Sequence, residues 1–227
     1  MSGTHCATCI AGGRSSDRAV IVRCLARGLG ACGVPHPSVA YVGAANGDDE
    51  SFFLHMKTLL KDAGAGETRL IPLAAEDADA GAAERALQSA DAVFLSGGEV
   101  EDGMKWLALH GTDRVLRGLF DRGTAFLGLS AGSIMMGTHW VHWDREGDDS
   151  TASLFDCLGF IPTVFDTHAE DEDWRELKTA LRLLGPGARG FGIPSGGAVL
   201  ADSGGGLVDL AGVVLPFHND GGTVKRD

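Results

Sequence analysis

The sequence predicts an α/β fold, a mainly parallel sheet with helices over both faces. Three observations predict it. Short apolar runs alternate with stretches of helical period through the first half of the chain. The runs end in small-residue turns such as Ala11-Gly12-Gly13 and Ser96-Gly97-Gly98. One run, ending at Leu129, breaks into Gly128-Leu129-Ser130-Ala131-Gly132, and a helix of small residues starts at once. Strand–turn–helix alternation of this kind builds parallel sheets covered on both faces.

Residues 5–10 read as the first strand. Ser15 or Ser16 is the expected cap of a helix to about Leu29, with Ala19, Val20, Val22, Leu25 and Leu29 on one side. Pro35-His36-Pro37 breaks the chain, and residues 38–42 form the second strand. Asp48-Asp49-Glu50 puts negative charge at the start of a helix to Leu60, where it suits the helix dipole. A third strand over 68–73, a short helix over 82–89 and a fourth strand over 91–95 follow. Two helices, about 101–110 and 112–121, lead to the strand before Ser130.

After the Ser130 helix the rhythm changes. Residues 140–144 read as a short strand or loop, and 146–150 as a polar, mobile segment. A strand over 162–168 delivers His168, and an amphipathic helix covers 172–184. Short strands over 198–201, 206–210 and 213–217, split by glycines, read as antiparallel additions to one edge. No linker, repeat or low-complexity segment divides the 227 residues, so one domain, 1–227, is expected.

Composition excludes several functions. A net charge of −12 argues against nucleic-acid binding. No apolar stretch approaches the length of a membrane span, and no secretory leader is evident; a soluble, cytoplasmic protein is expected. The five cysteines form no disulfide framework, and a single Cys6-x-x-Cys9 pair beside His5 is a weak metal or redox signal. No metal and no organic cofactor is expected.

The chemistry points to Ser130. Gly-x-Ser-x-Gly between a strand and a helix forces the serine into a strained turn and lifts its Oγ above the sheet. The N–H of Ala131, at a helix N-terminus, points where an oxyanion would form. A serine hydroxyl needs a base. Among eight histidines, His168 is the candidate because it ends a strand, follows Ser130 and has Asp166 and Glu170 close by. Gly97-Gly98 ends a neighbouring strand, and ligands of such sheets sit beyond the carboxyl ends of strands.

Five ordered blocks carry a family resemblance. They are Phe94-Leu95-Ser96-Gly97-Gly98-Glu99, Gly128-Leu129-Ser130-Ala131-Gly132, Asp166-Thr167-His168, Arg175-Glu176 and Gly192-Ile193-Pro194-Ser195-Gly196. Together, over about residues 18–201, the chain resembles the S51 serine peptidases, which include aspartyl dipeptidase (peptidase E) and cyanophycinase. The resemblance implies a three-layer, class I glutamine-amidotransferase-like fold. It implies Ser130 as nucleophile, His168 as base and an oxyanion hole from the N–H groups of Gly98 and Ala131. It also implies Arg175 as the group that meets a substrate carboxylate. Glu99, where the family often has Asn or Asp, either bonds a substrate amino group or simply begins the next helix. Trp140 and Trp143 either wall a pocket or serve packing.

One position departs from the pattern. Ser195 stands where the family carries the glutamate that steadies the histidine. Ser195 itself is the first candidate for third member, because its hydroxyl can hold the tautomer of His168 without neutralising an imidazolium. Glu170, at the His-x-Glu spacing of glutamine amidotransferases, and Asp166 are the alternatives. The resemblance leads to a serine peptidase of dipeptides or short peptides, with N-terminal aspartate preferred. The alternatives are a β-aspartyl or cyanophycin-type peptide hydrolase and a weakly active homologue with a binding or regulatory role. The expected partners are a small peptide and, compatibly, a second copy in a homodimer.

Overall fold

The computed structural model describes residues 5–13, 17–145 and 148–227. In chain order the first half comprises β1 (Cys6–Ile10), α1 (Arg18–Leu29), β2 (Val39–Val42), α2 (Glu50–Asp62), β3 (Thr68–Ile71), α3 (Ala80–Gln88), β4 (Ala92–Leu95), α4 (Val100–Leu109), α5 (Thr112–Asp121) and β5 (Ala125–Leu129). The second half comprises α6 (Ala131–Met135), β6 (His139–Trp143), β7 (Ala152–Asp156), β8 (Val164–Thr167), α7 (Arg175–Leu184), β9 (Arg189–Ile193), β10 (Ala198–Asp202), β11 (Leu207–Ala211), β12 (Leu215–Asp220) and β13 (Thr223–Arg226).

The early strands are continuous apolar runs because both of their faces are covered. β2, β4 and β5 are buried along their whole length. Successive side chains serve opposite layers. Ala92 and Phe94 pack with Leu25, Phe53 and Met56 of α1 and α2, while Val93 and Leu95 join Leu87, Leu107 and Leu116 of α3, α4 and α5. The five strands pair in parallel in the order β1-β5-β4-β2-β3, and β10 and β11 extend the β1 edge antiparallel to give seven strands. The α/β architecture with a mainly parallel central sheet and antiparallel C-terminal strands is therefore as the sequence predicts.

Helix starts are set by aspartates. Asp17, Asp49 and Asp79 accept from the N–H of Ala19, Phe52 and Ala82 and so satisfy donors that a helix leaves open. Asp17 thus caps α1; Ser15 and Ser16, expected there, lie outside the described residues. Residues 146 and 147 of the expected polar segment lie outside them as well.

The last third departs from the expectation of a single edge. The run over 213–217 does not join β11. Its strand, β12, enters a second sheet of order β13-β12-β9-β8, in which β8 is parallel to β9 and the other pairs are antiparallel. The open edge of β9 takes β12, and Phe217 buries its ring against Trp174 (centroids 6.1 Å apart). β8, which carries the chain to His168, is therefore not in the main sheet. β6 and β7 form a separate hairpin. Among the described residues no helix is long and apolar enough to cross a membrane.

Candidate active site

Ser130 stands at the carboxyl end of β5 with φ 50° and ψ −118°. A positive φ at a residue with a side chain is strained and survives only where neighbours impose it. Here they do. The Ser130 N–H donates to Ile10 O (2.8 Å), which continues the β1–β5 pairing past the last strand residue. The buried Ser133 hydroxyl accepts from Ile10 N–H (2.9 Å) and lies 2.9 Å from Gly128 O, tying the first turn of α6 back to both strands. Gly132 presses so close to β4 that a Cβ would lie 2.1 Å from Leu95 O.

His168 follows β8 with φ 46°, and its N–H donates to Ile193 O (2.9 Å). That bond extends the β8–β9 pairing and turns the ring toward β5. Nε2 of His168 lies 2.7 Å from Oγ of Ser130. A hydrogen bond of this length places an imidazole nitrogen where it can take the serine proton.

Gly98 and Ala131 line the same cleft as this pair. Among the described residues, no acceptor engages the N–H of Gly98 or Ala131. Gly98 has φ 140°, and a Cβ there would lie 2.0 Å from Ala45 O. The next N–H, of Glu99, donates to that same carbonyl (2.7 Å), so the turn is anchored on Ala45. Behind it the Ser96 hydroxyl meets the Tyr41 hydroxyl (2.7 Å) and accepts from Asn46 Nδ2 (3.0 Å). Ala131 opens α6, where N–H groups lack partners within the helix.

The candidates for a third member take separate places. The N–H of Ser195 donates to Glu170 Oε1 (2.6 Å), and its hydroxyl lies 3.4 Å from Glu170 Oε2. A Cβ on Gly13 would lie 2.8 Å from Ser195 Oγ and 3.0 Å from His168 Cβ, so both side chains flank Gly13. Asp166 is 1% exposed, with Oδ1 accepting from Thr167 N–H (2.7 Å). Among the described residues no hydrogen bond joins His168 to Ser195, Glu170 or Asp166.

Two clefts open on Ser130 and His168. One, of about 330 Å³, is walled by Glu99, Trp140, His142, Trp143, Asp166 and Glu176. The other, of about 580 Å³, is walled by Ile21, Phe52, His55, Met56 and Leu59. In the first cleft, burial and then the nearby Glu176 carboxylate push Asp166 up to about 8, against the pull of the Thr167 and Leu177 N–H groups. Burial, followed by Glu172 and Glu99, pushes Glu176 up to about 7. His142 pairs with Glu101 (2.7 Å), which raises its affinity for a proton.

A family model, Peptidase family S51, matches residues 9–206. The chain belongs to peptidase family S51. That membership makes it a peptidase, a hydrolase. Two solved structures share the fold. One is a peptidase from an acI-B1 Actinobacterium, 15% identical, covering 98% of this chain and 93% of that one with a TM-score of 0.72. The other is a putative peptidase E protein from Listeria monocytogenes EGD-e, 14% identical, covering 91% of this chain and 98% of that one with a TM-score of 0.66. No curated protein matches the chain in sequence.

Within this S51 chain the structure brings Ser130, His168, Gly98, Ala131 and Glu99 to one cleft. It does not bring Arg175 there. The Arg175 guanidinium bonds Asp149 (2.8 Å), which Arg182 also holds (2.9 Å), and lies over the Trp143 ring, 5.8 Å from its centroid. The charge of Asp149 draws Arg175 into a clamp between α7 and the short 3₁₀ turn before β7. Glu176, one residue on, is the member of that block that reaches the cleft. Sequence reasoning passed over Glu176, inside the Arg175-Glu176 block, and Ser133, one residue past the Gly128–Gly132 block. Cys6 and Cys9 sit three residues apart on β1 and so face opposite ways. Burial pushes the Cys9 thiol up to about 12, far from thiolate chemistry.

Proposed function

We propose that the protein is a serine-type peptidase of dipeptides or short peptides. The observation that carries this reading is the 2.7 Å contact of Ser130 Oγ with His168 Nε2 at a strained turn flanked by two unengaged N–H groups. Ser130 Oγ attacks the peptide carbonyl carbon as His168 Nε2 takes its proton. The carbonyl π pair moves onto oxygen, and the N–H groups of Gly98 and Ala131 hold the resulting oxyanion. Collapse breaks the C–N bond, and His168 gives its proton to the leaving amine. Water then attacks the acyl ester by the same route and frees Ser130.

Ser195 is the proposed orienting residue for His168. Ser195 and His168 both flank Gly13, and Glu170 holds Ser195 through backbone and side chain. The family resemblance suggests a preference for N-terminal aspartate, for which Arg175, held by Asp149, is the candidate contact. The lack of a carboxylate on His168 among the described residues favours a second reading, a weakly active homologue with a binding role.

A fluorophosphonate probe and a dipeptide panel decide between them. Labelling of Ser130 that disappears in His168→Ala, with hydrolysis lost in Ser130→Ala, is the expected result. An unlabelled Ser130 with no peptide cleaved would overturn the peptidase mechanism in favour of the binding role.

A further inference from the structure

The two clefts that meet at Ser130 have walls of different chemistry. In the smaller one, four carboxylates converge from three elements: Glu99 and Glu101 from the start of α4, Asp166 from β8 and Glu176 from the first turn of α7. Among the described residues Glu101 pairs with His142, and the charge of Arg175 acts on Glu176. Glu99, Asp166 and Glu176 form no ion pair there.

Buried polar atoms in folded proteins almost always find partners. Of eight that do not, among the described residues, three are Asp166 Oδ2, Thr167 Oγ1 and Trp143 Nε1. All three belong to residues that wall this one cleft. Asp166, 1% exposed, is the deepest. Oδ2 and Oγ1 are hydrogen-bond acceptors, and the rings of Trp140 and Trp143 add aromatic faces. Carboxylates with aromatic faces are the chemistry that receives an ammonium or guanidinium group. The cleft volume of about 330 Å³ leaves room for a whole lysyl or arginyl side chain. The second cleft, walled by Ile21, Phe52, Met56 and Leu59, suits an apolar side chain.

Building on the peptidase reading, we propose that this enzyme selects peptides with a basic side chain on one side of the scissile bond, received by Asp166 and Glu176, and an apolar side chain on the other. The raised proton affinities of the two acids fit this. Near neutral pH the pair is only partly ionised, and an arriving cation favours the ionised form. Binding of the basic side chain therefore releases protons. The other charged groups facing the pair are Glu99 and Glu101 of α4, His142 of β6, His168 after β8, and Glu172 and Arg175 beside Glu176.

The test compares lysyl-leucine and leucyl-lysine with the same dipeptides carrying norleucine or aspartate for lysine. Norleucine keeps the length of the side chain and removes its charge. A site built around a substrate's polar group rejects the analogue that lacks it, so in one of the two orders lysine should exceed norleucine in kcat/KM by about 100-fold or more. Glu176→Gln and Asp166→Asn should each bring that ratio toward one. Glu99→Gln, nearer the solvent end of a helix, gives a third reading should the buried Asp166 variant fold poorly. Norleucyl or aspartyl peptides cleaved as well as lysyl ones, or a ratio unmoved by Glu176→Gln, would overturn the proposal while leaving the peptidase reading intact. Calorimetry on Ser130→Ala separates the two further. Lysyl-leucine should bind with proton release, seen as a heat that depends on buffer ionisation, and norleucyl-leucine should not. Equal binding without proton release sinks the cleft assignment whether or not the wild type cleaves peptides.

Discussion

Ser130 Oγ and His168 Nε2 lie 2.7 Å apart although their strands belong to different sheets. β5 is held in register by β1 and β4, whereas β8 is held by β9. Each residue is fixed by a backbone bond just past its strand, Ser130 to Ile10 and His168 to Ile193. Alignment of the pair thus depends on how the two sheets pack around α6, which contacts both β5 and β8.

Removing either member should abolish turnover. Ser130→Ala or His168→Ala is expected to lower kcat by about 10⁴ or more, and the double variant should fall little further, because such residues act as a unit. Peptide hydrolysis with single-turnover kinetics measures this. Ser130→Gly adds a structural readout. It relieves the positive φ, so it should be more stable than Ser130→Ala by about 1 kcal/mol in denaturant unfolding.

Gly98 has no room for a side chain. In Gly98→Ala the new Cβ collides with Ala45 O, and φ 140° becomes strained. The turn must move and take its N–H off target. The expected loss is about 10²-fold or more in kcat, the usual effect of removing one oxyanion donor, together with about 2 kcal/mol or more of stability. A near-wild-type kcat would show that this N–H does not face the reaction.

Most of the main sheet was legible because its strands are apolar on both faces and end in small residues, patterns that local sequence carries. The α5 span, Thr112–Asp121, and the Ser130 turn are read directly. β9 was not, since Arg-Gly-Phe-Gly-Ile holds two glycines and resembles a loop. β7 and β13 are partly exposed and owe their form to a partner strand. In the site, Ser130 and His168 were legible from motif and order. The direction of Arg175 was not, because it is set by Asp149, a residue far along the chain in an irregular turn. Glu176 was hidden for a similar reason: only the packing of α7 against β8 reveals which side of the helix meets the cleft.

Arg175→Ala should act through that packing. Loss of the Asp149 bond and of the contact over Trp143 loosens the hairpin that walls the cleft. Exposed ion pairs contribute little, so the stability change should stay within about 1 kcal/mol. kcat/KM should fall by a similar factor for acidic, neutral and basic peptides. A loss confined to aspartyl peptides would instead return Arg175 to the substrate carboxylate.

The roles of Ser195 and Glu170 separate by substitution. Ser195→Ala keeps the N–H bond to Glu170 and removes only the hydroxyl. kcat should fall by about 10-fold with KM unchanged, less than when a triad loses its acid, since a hydroxyl supplies orientation and no charge. Glu170→Gln weakens a charge-assisted bond to the turn and should lower stability by about 1 kcal/mol as well as kcat. An unchanged kcat in Ser195→Ala would mean that His168 works without it.

Asp166 makes stability depend on pH in a direction opposite to most carboxylates. Its ordinary value is 3.8, and in the folded protein it is pushed up to about 8. Between those values the folded state holds a proton that the unfolded state has lost. Stability therefore falls as pH rises through that window, by linkage. Glu176, pushed up to about 7, acts in the same sense over a narrower range. Asp166→Asn cannot ionise and removes its share. Raising the pH from 5 to about 8.5 should lower the Tm of the wild type more than that of Asp166→Asn, and the histidines, common to both proteins, largely cancel in the comparison. A Tm difference between the two that stays constant across this range would mean that Asp166 is already ionised at pH 5, with a cation or water satisfying Oδ2.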